Sequence, residues 1–185
     1  MHHMAKSFFA PIMVTVVPQN GRLVLRVVND TPDVTEVSLT AYATDMAGVA
    51  RELGRGSVNV GNRAETLLDL DATLFGPQEM LAFGWTATNG AKGGDVFAPR
   101  PYKTYDLLPP GLTPVISLSD GVWTITLTAS AMAFFVSAEA SVPGRFSTNA
   151  IHLGPGHTAA ITFTPQDPKA TPAFTLRDLY SATTA

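Results

Sequence analysis

The chain has 185 residues, 45% of them hydrophobic, and its 15 acidic and 12 basic side chains give a formal net charge of −3. That apolar content excludes a disordered chain, and the lack of any basic stripe argues against nucleic acid as a partner. There is no cysteine, so neither a disulfide framework nor a thiolate metal site is available.

Residues 1–6, with His2 and His3, read as an expression scar and chain start and are set aside from the fold. From residue 7 onward helical signals are nearly absent and strand signals follow one another. Ile12 to Val17 is a β-branched run closed by Pro18. Asn20-Gly21 is a strong two-residue hairpin signal. Arg22 to Val28 then alternates, with Leu23, Leu25 and Val27 on one face. Asn29-Asp30-Thr31-Pro32 breaks the pattern, and Thr35 to Ala43 resumes it with Val37, Leu39 and Ala41 inward. Met46 to Leu53 carries Gly48 and borders Gly54 and Gly56, so it reads as strand and turn. Further strands are expected at Ser57 to Val60, Glu65 to Leu70, Met80 to Thr88 and Val96 to Ala98, with Gly93-Gly94 in a turn. Turn signals at this spacing belong to an all-β sandwich, here residues 7–101.

Pro101, Pro109 and Pro110 then fall in or beside the stretch 102–112. Proline fixes φ and brings no ladder donor, so these residues read as a connector. A second sandwich is expected over residues 113–180. In it Gly121 to Ala129 alternates with Trp123, Ile125 and Leu127 inward, and Phe134 to Ala140 places Phe134, Val136 and Ala138 on one face. Ala173 to Tyr180 packs back through Phe174, Leu176 and Leu179, and residues 181–185 are expected to fray. The fold class is thus all-β, two consecutive antiparallel sandwiches. No apolar run approaches the roughly 20 residues of a membrane helix, so no membrane span is expected.

The most informative stretch is Arg145 to Pro165. Two apolar-alternating runs flank Gly154-Pro155-Gly156, the pattern of a late hairpin in an antiparallel sandwich. Phe146, Ser147, Asn149, Leu153, Pro155 and Gly156 resemble the closing hairpin of the last immunoglobulin-like domain in family 2 β-mannosidases. Thr148 stands where that family usually has Asp, and His152 and Gly154 are further departures. Earlier segments are similar to the same family. Lys6 to Pro11 resembles the exit from the catalytic barrel, Asn29-Asp30-Thr31 the turn after the second strand, and Lys103 and Leu107 the link into the terminal domain.

The resemblance implies that both sandwiches are immunoglobulin-like and form the non-catalytic C-terminal accessory region of a glycoside hydrolase that removes terminal β-D-mannose. Their partner would be the catalytic barrel of their own full-length chain, with Phe8, Phe9 and Pro11 facing it. Such an enzyme uses two glutamates upstream of this region. None of Glu36, Glu52, Glu65, Glu79 or Glu139 matches either motif, so no catalytic residue is assigned. The alternative is a stand-alone carbohydrate-binding or cell-surface adhesion sandwich, because one fold serves many functions.

The residues themselves offer few sharper candidates. Asp69 and Asp71 would share a strand face, and Asp30 and Asp33 flank a proline turn. A solvated strand end and a backbone-bonded turn account for them better than hydrolysis does. His152 and His157 flank the hairpin tip without further ligands nearby, so no metal or other cofactor is expected. Ser119 and Ser147 lack the glycine elbow of a serine nucleophile. Trp85 and Trp123 share faces with Phe83 and Ile125 and read as core rather than a sugar platform. Tyr102 and Tyr105, in the proline-rich stretch, are the weak candidates for an exposed carbohydrate contact, or else seal the joint between the sandwiches.

Overall fold

The structure is a computed structural model and describes residues 10–184; the expectations placed on residues 1–6, Phe8 and Phe9 lie outside the described residues. The described residues divide into two compact units, one built from residues 10–106 and the other from residues 107–184. Each is an antiparallel β-sandwich of a three-stranded and a four-stranded sheet. Among the described residues no helix is long and apolar enough to cross a membrane.

In the first unit β1 (Ile12–Gln19) and β2 (Arg22–Asn29) form a hairpin through Asn20-Gly21, both at positive φ. This is the left-handed pair a two-residue hairpin turn needs, and Asn and Gly tolerate it best. β5 (Arg63–Asp71) completes that sheet in the order β1-β2-β5. The facing sheet runs β4-β3-β6-β7, with β3 at Thr35–Thr44, β4 at Ala50–Val60, β6 at Met80–Ala87 and β7 at Lys92–Phe97. Leu25, Val27, Val37, Leu39, Leu81 and Trp85 form its core with their strand neighbours.

Two strands extend well past the sequence reading. β4 begins at Ala50 rather than Ser57, because register with β3 carries it through Gly54 and Gly56. An added Cβ at Gly56 would land on the Leu67 backbone, so glycine here allows close approach and does not mark a turn. β7 likewise begins at Lys92 and runs through Gly93-Gly94, because the Trp85 indole lies where a Cβ on Gly93 would be.

In the second unit β8 (Thr113–Ser119) and β9 (Val122–Thr128) form a hairpin through Asp120-Gly121, again both at positive φ. The sequence reading left β8 unassigned. β13 (Thr158–Pro165) and the short β11 (Gly144–Phe146) extend this sheet in the order β11-β13-β9-β8. The facing sheet is β12 (Ile151–Leu153), β10 (Ala133–Ala140) and β14 (Phe174–Arg177), with β10 central. Ile125, Leu127, Val136, Leu153 and Ile161 are buried between the two sheets.

β10 carries a bulge between Ala133 and Val136, and Phe135 within it sits at φ 54°. The extra residue lets Ala133 and Val136, three apart, both join the core with Ala138, whereas Phe134, expected on that face, is buried beside His152. The expected frayed end is instead helical. Asp178 and Ser181 form a reciprocal capping box that starts α1 (Leu179–Thr183), satisfying backbone donors that would otherwise favour fraying.

Candidate functional site

The carboxylate pair of β5 is held by ion pairs. Arg22 Nε donates to Asp69 Oδ1 at 2.8 Å, and Arg22 Nη1 lies 3.6 Å from Asp71 Oδ2. Asp71 Oδ1 also accepts from the Thr73 hydroxyl and N–H. The Thr73 hydroxyl, followed by its N–H and the Arg22 charge, holds the Asp71 carboxyl below the usual aspartate range. A general acid needs the opposite shift. The glutamates are committed in the same manner: Glu52 to Arg55, Glu65 to Arg63, Glu79 to Arg51, Glu139 to Arg177, and Glu36 to the Ser57 hydroxyl.

The Asp30–Asp33 turn is organised by Asn29, which is fully buried. Its Nδ2 donates to the carbonyls of Asp33 (2.9 Å) and Val60 (3.1 Å), and its Oδ1 accepts from the N–H and hydroxyl of Thr31. Two donors and two acceptor sites are all used, which is what permits a polar side chain at the centre of a sandwich. The Asn-Asp-Thr segment is therefore a structural latch.

The two tyrosines proposed for carbohydrate contact are placed differently from that expectation. Tyr105 is only 5% exposed, and burial is the main cause pushing its phenol above the usual range. Its ring lies 6.5 Å from that of the half-buried Tyr102. The Tyr105 oxygen accepts the Arg100 N–H at 3.2 Å and reaches the Glu79 carbonyl at 3.5 Å.

Around Tyr105 the loop 72–79 is clasped from several sides. Arg51 makes a two-pronged contact with Glu79 (3.0 and 2.7 Å) and also donates to the Leu74 carbonyl. Arg100 Nη1 donates to the Gly76 carbonyl at 2.7 Å. Gln78 accepts the Asp106 N–H and donates to the Thr104 carbonyl. Proline-rich composition suggested a stiff connector over residues 102–112; these bonds tie residues 100–106 to the first unit. Sequence reasoning missed the clasp because its members are dispersed from Arg51 to Asp106. Only Glu79, Arg100 and Tyr105 in suggestive proximity to prolines could have hinted at it.

Of the tryptophans, Trp85 is 9% exposed and belongs to the core. Trp123 points inward but lies at the rim, half-buried, with its ring edge-on to Phe174 at 6.1 Å. His152 is packed edge-on against Phe134 and Phe135, at 5.8 and 4.8 Å, and His157 is exposed at the turn. Among the described residues no three His, Asp or Glu gather as a metal-ligand set. Pro11 is exposed, and its carbonyl accepts the Asp30 N–H.

The Arg145–Pro165 stretch carries the most specific local design. The Phe146 ring packs against that of Phe163, its partner in the β11–β13 register, at 4.6 Å and a tilt of 45°. One residue on, Ser147 donates its N–H to the Thr162 carbonyl, and its hydroxyl accepts the Thr162 N–H at 2.9 Å. The chain then crosses to the other sheet, where Asn149 holds Ala138 by both polar atoms of its amide. Side chains stand in for the backbone at both ends of the crossover.

The Ig_mannosidase model, an Ig-fold domain, matches residues 107–182. None of the curated proteins matches the chain. Among solved structures, the β-D-mannosidase of Dictyoglomus thermophilum is similar over 96% of this chain, at 17% identity and a TM-score of 0.72, and the chain spans 23% of that enzyme's length. The transglutaminase of red sea bream is matched at 10% identity over 92% of this chain and 29% of its own, with a TM-score of 0.35. Residues 107–182 are thus an immunoglobulin-like domain of the mannosidase type, in a chain whose two sandwiches share their fold with part of a β-D-mannosidase.

Proposed function

We propose that this chain is a non-catalytic accessory region of a glycoside hydrolase of the family 2 β-mannosidase kind. Its parent protein removes terminal β-D-mannose from oligosaccharides, and the two sandwiches buttress the catalytic barrel. The observation that carries this reading is the similarity of 96% of the chain to a stretch amounting to 23% of a β-D-mannosidase, with the mannosidase-type domain in its C-terminal unit. The chemistry is in keeping with it. A retaining glycosidase needs two carboxyl groups about 5–5.5 Å apart, one of them protonated. Here the glutamates are spent on arginines and a serine, and Asp71 is held ionised.

The test uses the product of the full reading frame, assayed on an aryl β-mannoside, beside a version lacking residues 7–185. Hydrolysis by the full protein, none by the 185-residue chain, and a lower melting temperature on truncation are the expected results. A full protein without glycosidase activity would overturn the glycosidase reading. An active truncated protein of unchanged melting temperature would overturn the buttress alone.

A further inference from the structure

Two latches bracket the chain where it leaves the first unit and enters the second. On the first-unit side the Asp106 N–H is taken by the Gln78 side chain at 2.8 Å. On the second-unit side the Pro110 carbonyl is held from the β9–β10 connection. It accepts the Ser130 N–H at 2.8 Å, the Ser130 hydroxyl at 3.2 Å and the Ala131 N–H at 3.4 Å. Pro110 itself is buried, and Gly111 follows at φ 55° with Ser130 Oγ lying where a Cβ would stand. This second latch is therefore fixed by shape as well as by bonds. Between the latches lie Leu107, Leu108 and Pro109, which no hydrogen bond among the described residues holds.

The sequence decides how this short span can bend. A residue before proline is pushed out of the helical region to an extended ψ, and proline fixes its own φ at about −65°. Leu108 precedes Pro109, and Pro109 precedes Pro110. Leu108 ψ, both torsions of Pro109 and Pro110 φ are thereby restricted. The three residues make a short polyproline-II rod, rising about 3.1 Å per residue. Leu107 meets no such limit, since it has neither a proline after it nor a ring on its own nitrogen. The soft torsions of the span are those of Leu107, with Asp106 ψ before it and Leu108 φ after it.

We propose that the link between the units is a rigid rod, Leu108-Pro109-Pro110, carried on a single soft joint at Leu107. The connector expected over residues 102–112 shrinks to residues 107–110. Residues 102–106 belong to the clasp of the first unit, and Leu112 packs on the core of the second. A glycine- and serine-rich linker would let the reach between the latches vary, whereas a proline rod holds it nearly constant and confines bending to the joint. The inference rests on the two latches and the prolines, and stands whether or not the parent protein is a mannosidase.

The chain has no cysteine, so two introduced ones can each carry a nitroxide. Asn59→Cys on β4 labels the first unit and Ser117→Cys on β8 the second, both at exposed positions. Pulsed dipolar electron spin resonance on the 185-residue chain then reads the distribution of distances between the labels. Pro109→Gly frees Leu108 ψ and breaks the rod, and should widen the distribution. Its melting temperature should stay near that of the wild type, because Pro109 is exposed and holds no bond. Gln78→Ala opens the first latch and lengthens the soft span, and should widen the distribution as well. Leu107→Pro fixes φ at the joint and restricts Asp106 ψ, and should narrow it. One width shared by the wild type, Pro109→Gly and Leu107→Pro would overturn the proposal. So would a wild type already as broad as Pro109→Gly.

Discussion

Asn149 occupies the ladder position opposite Ala138 with its side chain instead of its main chain. Val136 pairs with Ile151 in the β10–β12 register, so two residues along each strand Ala138 faces Asn149. Ala150, between them, sits at φ 58° and turns the backbone aside. The Asn149 amide fills the gap: Oδ1 accepts the Ala138 N–H at 2.7 Å and Nδ2 donates to the Ala138 carbonyl at 3.0 Å. An amide is the side chain that reproduces both polar groups of a peptide.

Asn149→Ala should therefore leave a part-buried N–H and C=O of β10 without partners. Each such loss costs about 1–3 kcal/mol, so a decrease of about 2–4 kcal/mol is expected in urea unfolding of the second unit, followed by tryptophan fluorescence. Asn149→Asp keeps the acceptor, loses the donor and sets a carboxylate against the Ala138 carbonyl, and should recover little. A change below about 0.5 kcal/mol, the range of ordinary surface substitutions, would show that water replaces the amide without loss.

The inward strand β9 is graded from its rim to its centre. Ile125 is fully buried, whereas Trp123, two residues away on the same face, is half-buried against Phe174. Ile125→Ala is expected to cost about 2–5 kcal/mol as a core truncation. Trp123→Ala should cost less, about 1–3 kcal/mol, because only part of its area leaves water on folding. Equilibrium unfolding of the two variants under one condition checks the order; a larger loss at Trp123 would place the centre of the core under its ring.

Periodicity reveals the strands whose two faces differ and misses those whose faces do not. Thr35 to Ala43 and Val122 to Thr128 alternate because one face of each is core, and both were legible. β8 has no buried residue and hence no alternation to find, while β4 and β7 were hidden by glycines that serve backbone contact. The immunoglobulin-like class was legible in the Phe146–Pro165 hairpin, and the match of residues 107–182 agrees with it. The roles of Asn29 and Asn149 were not legible, since each depends on a carbonyl or amide far along the chain. Nor was the burial of Tyr105, which follows from Arg100 and the 72–79 loop instead of from its proline neighbours.

Gly144 is fixed by close contact and not by its backbone angle. A Cβ there would sit 2.2 Å from Phe163 Cζ and 2.6 Å from the Thr164 carbonyl oxygen, and a backbone oxygen in a paired strand has little room to retreat. Gly144→Ala is expected to cost about 1–3 kcal/mol by overpacking, and to shift the Phe163 ring resonances in an aromatic-detected spectrum. An unchanged melting temperature would mean that β11 detaches from β13 without loss.

Glu79 links the stability of the first unit to pH. The Arg51 guanidinium, then the Gly76 N–H, holds its carboxyl below the ordinary glutamate value of 4.5. Because the folded value is the lower one, the stabilisation is fully present above about pH 4.5 and is lost as pH falls through the folded value. The pair also anchors the 72–79 loop on which Arg100 and Tyr105 close, so its loss should loosen residues 100–106 before the sheets. Glu79→Gln is expected to lower the urea midpoint at pH 6.5, and the gap to wild type should narrow as pH is brought down toward 3. Hydrogen exchange at pH 6.5 should show faster exchange in the variant at the Arg100 N–H, which Tyr105 accepts, and at the Asp106 N–H, which Gln78 accepts. A gap that stays constant down to pH 3 would mean that shape and not charge carries the Glu79 contribution, and that the ion pair with Arg51 is as dispensable as an exposed one.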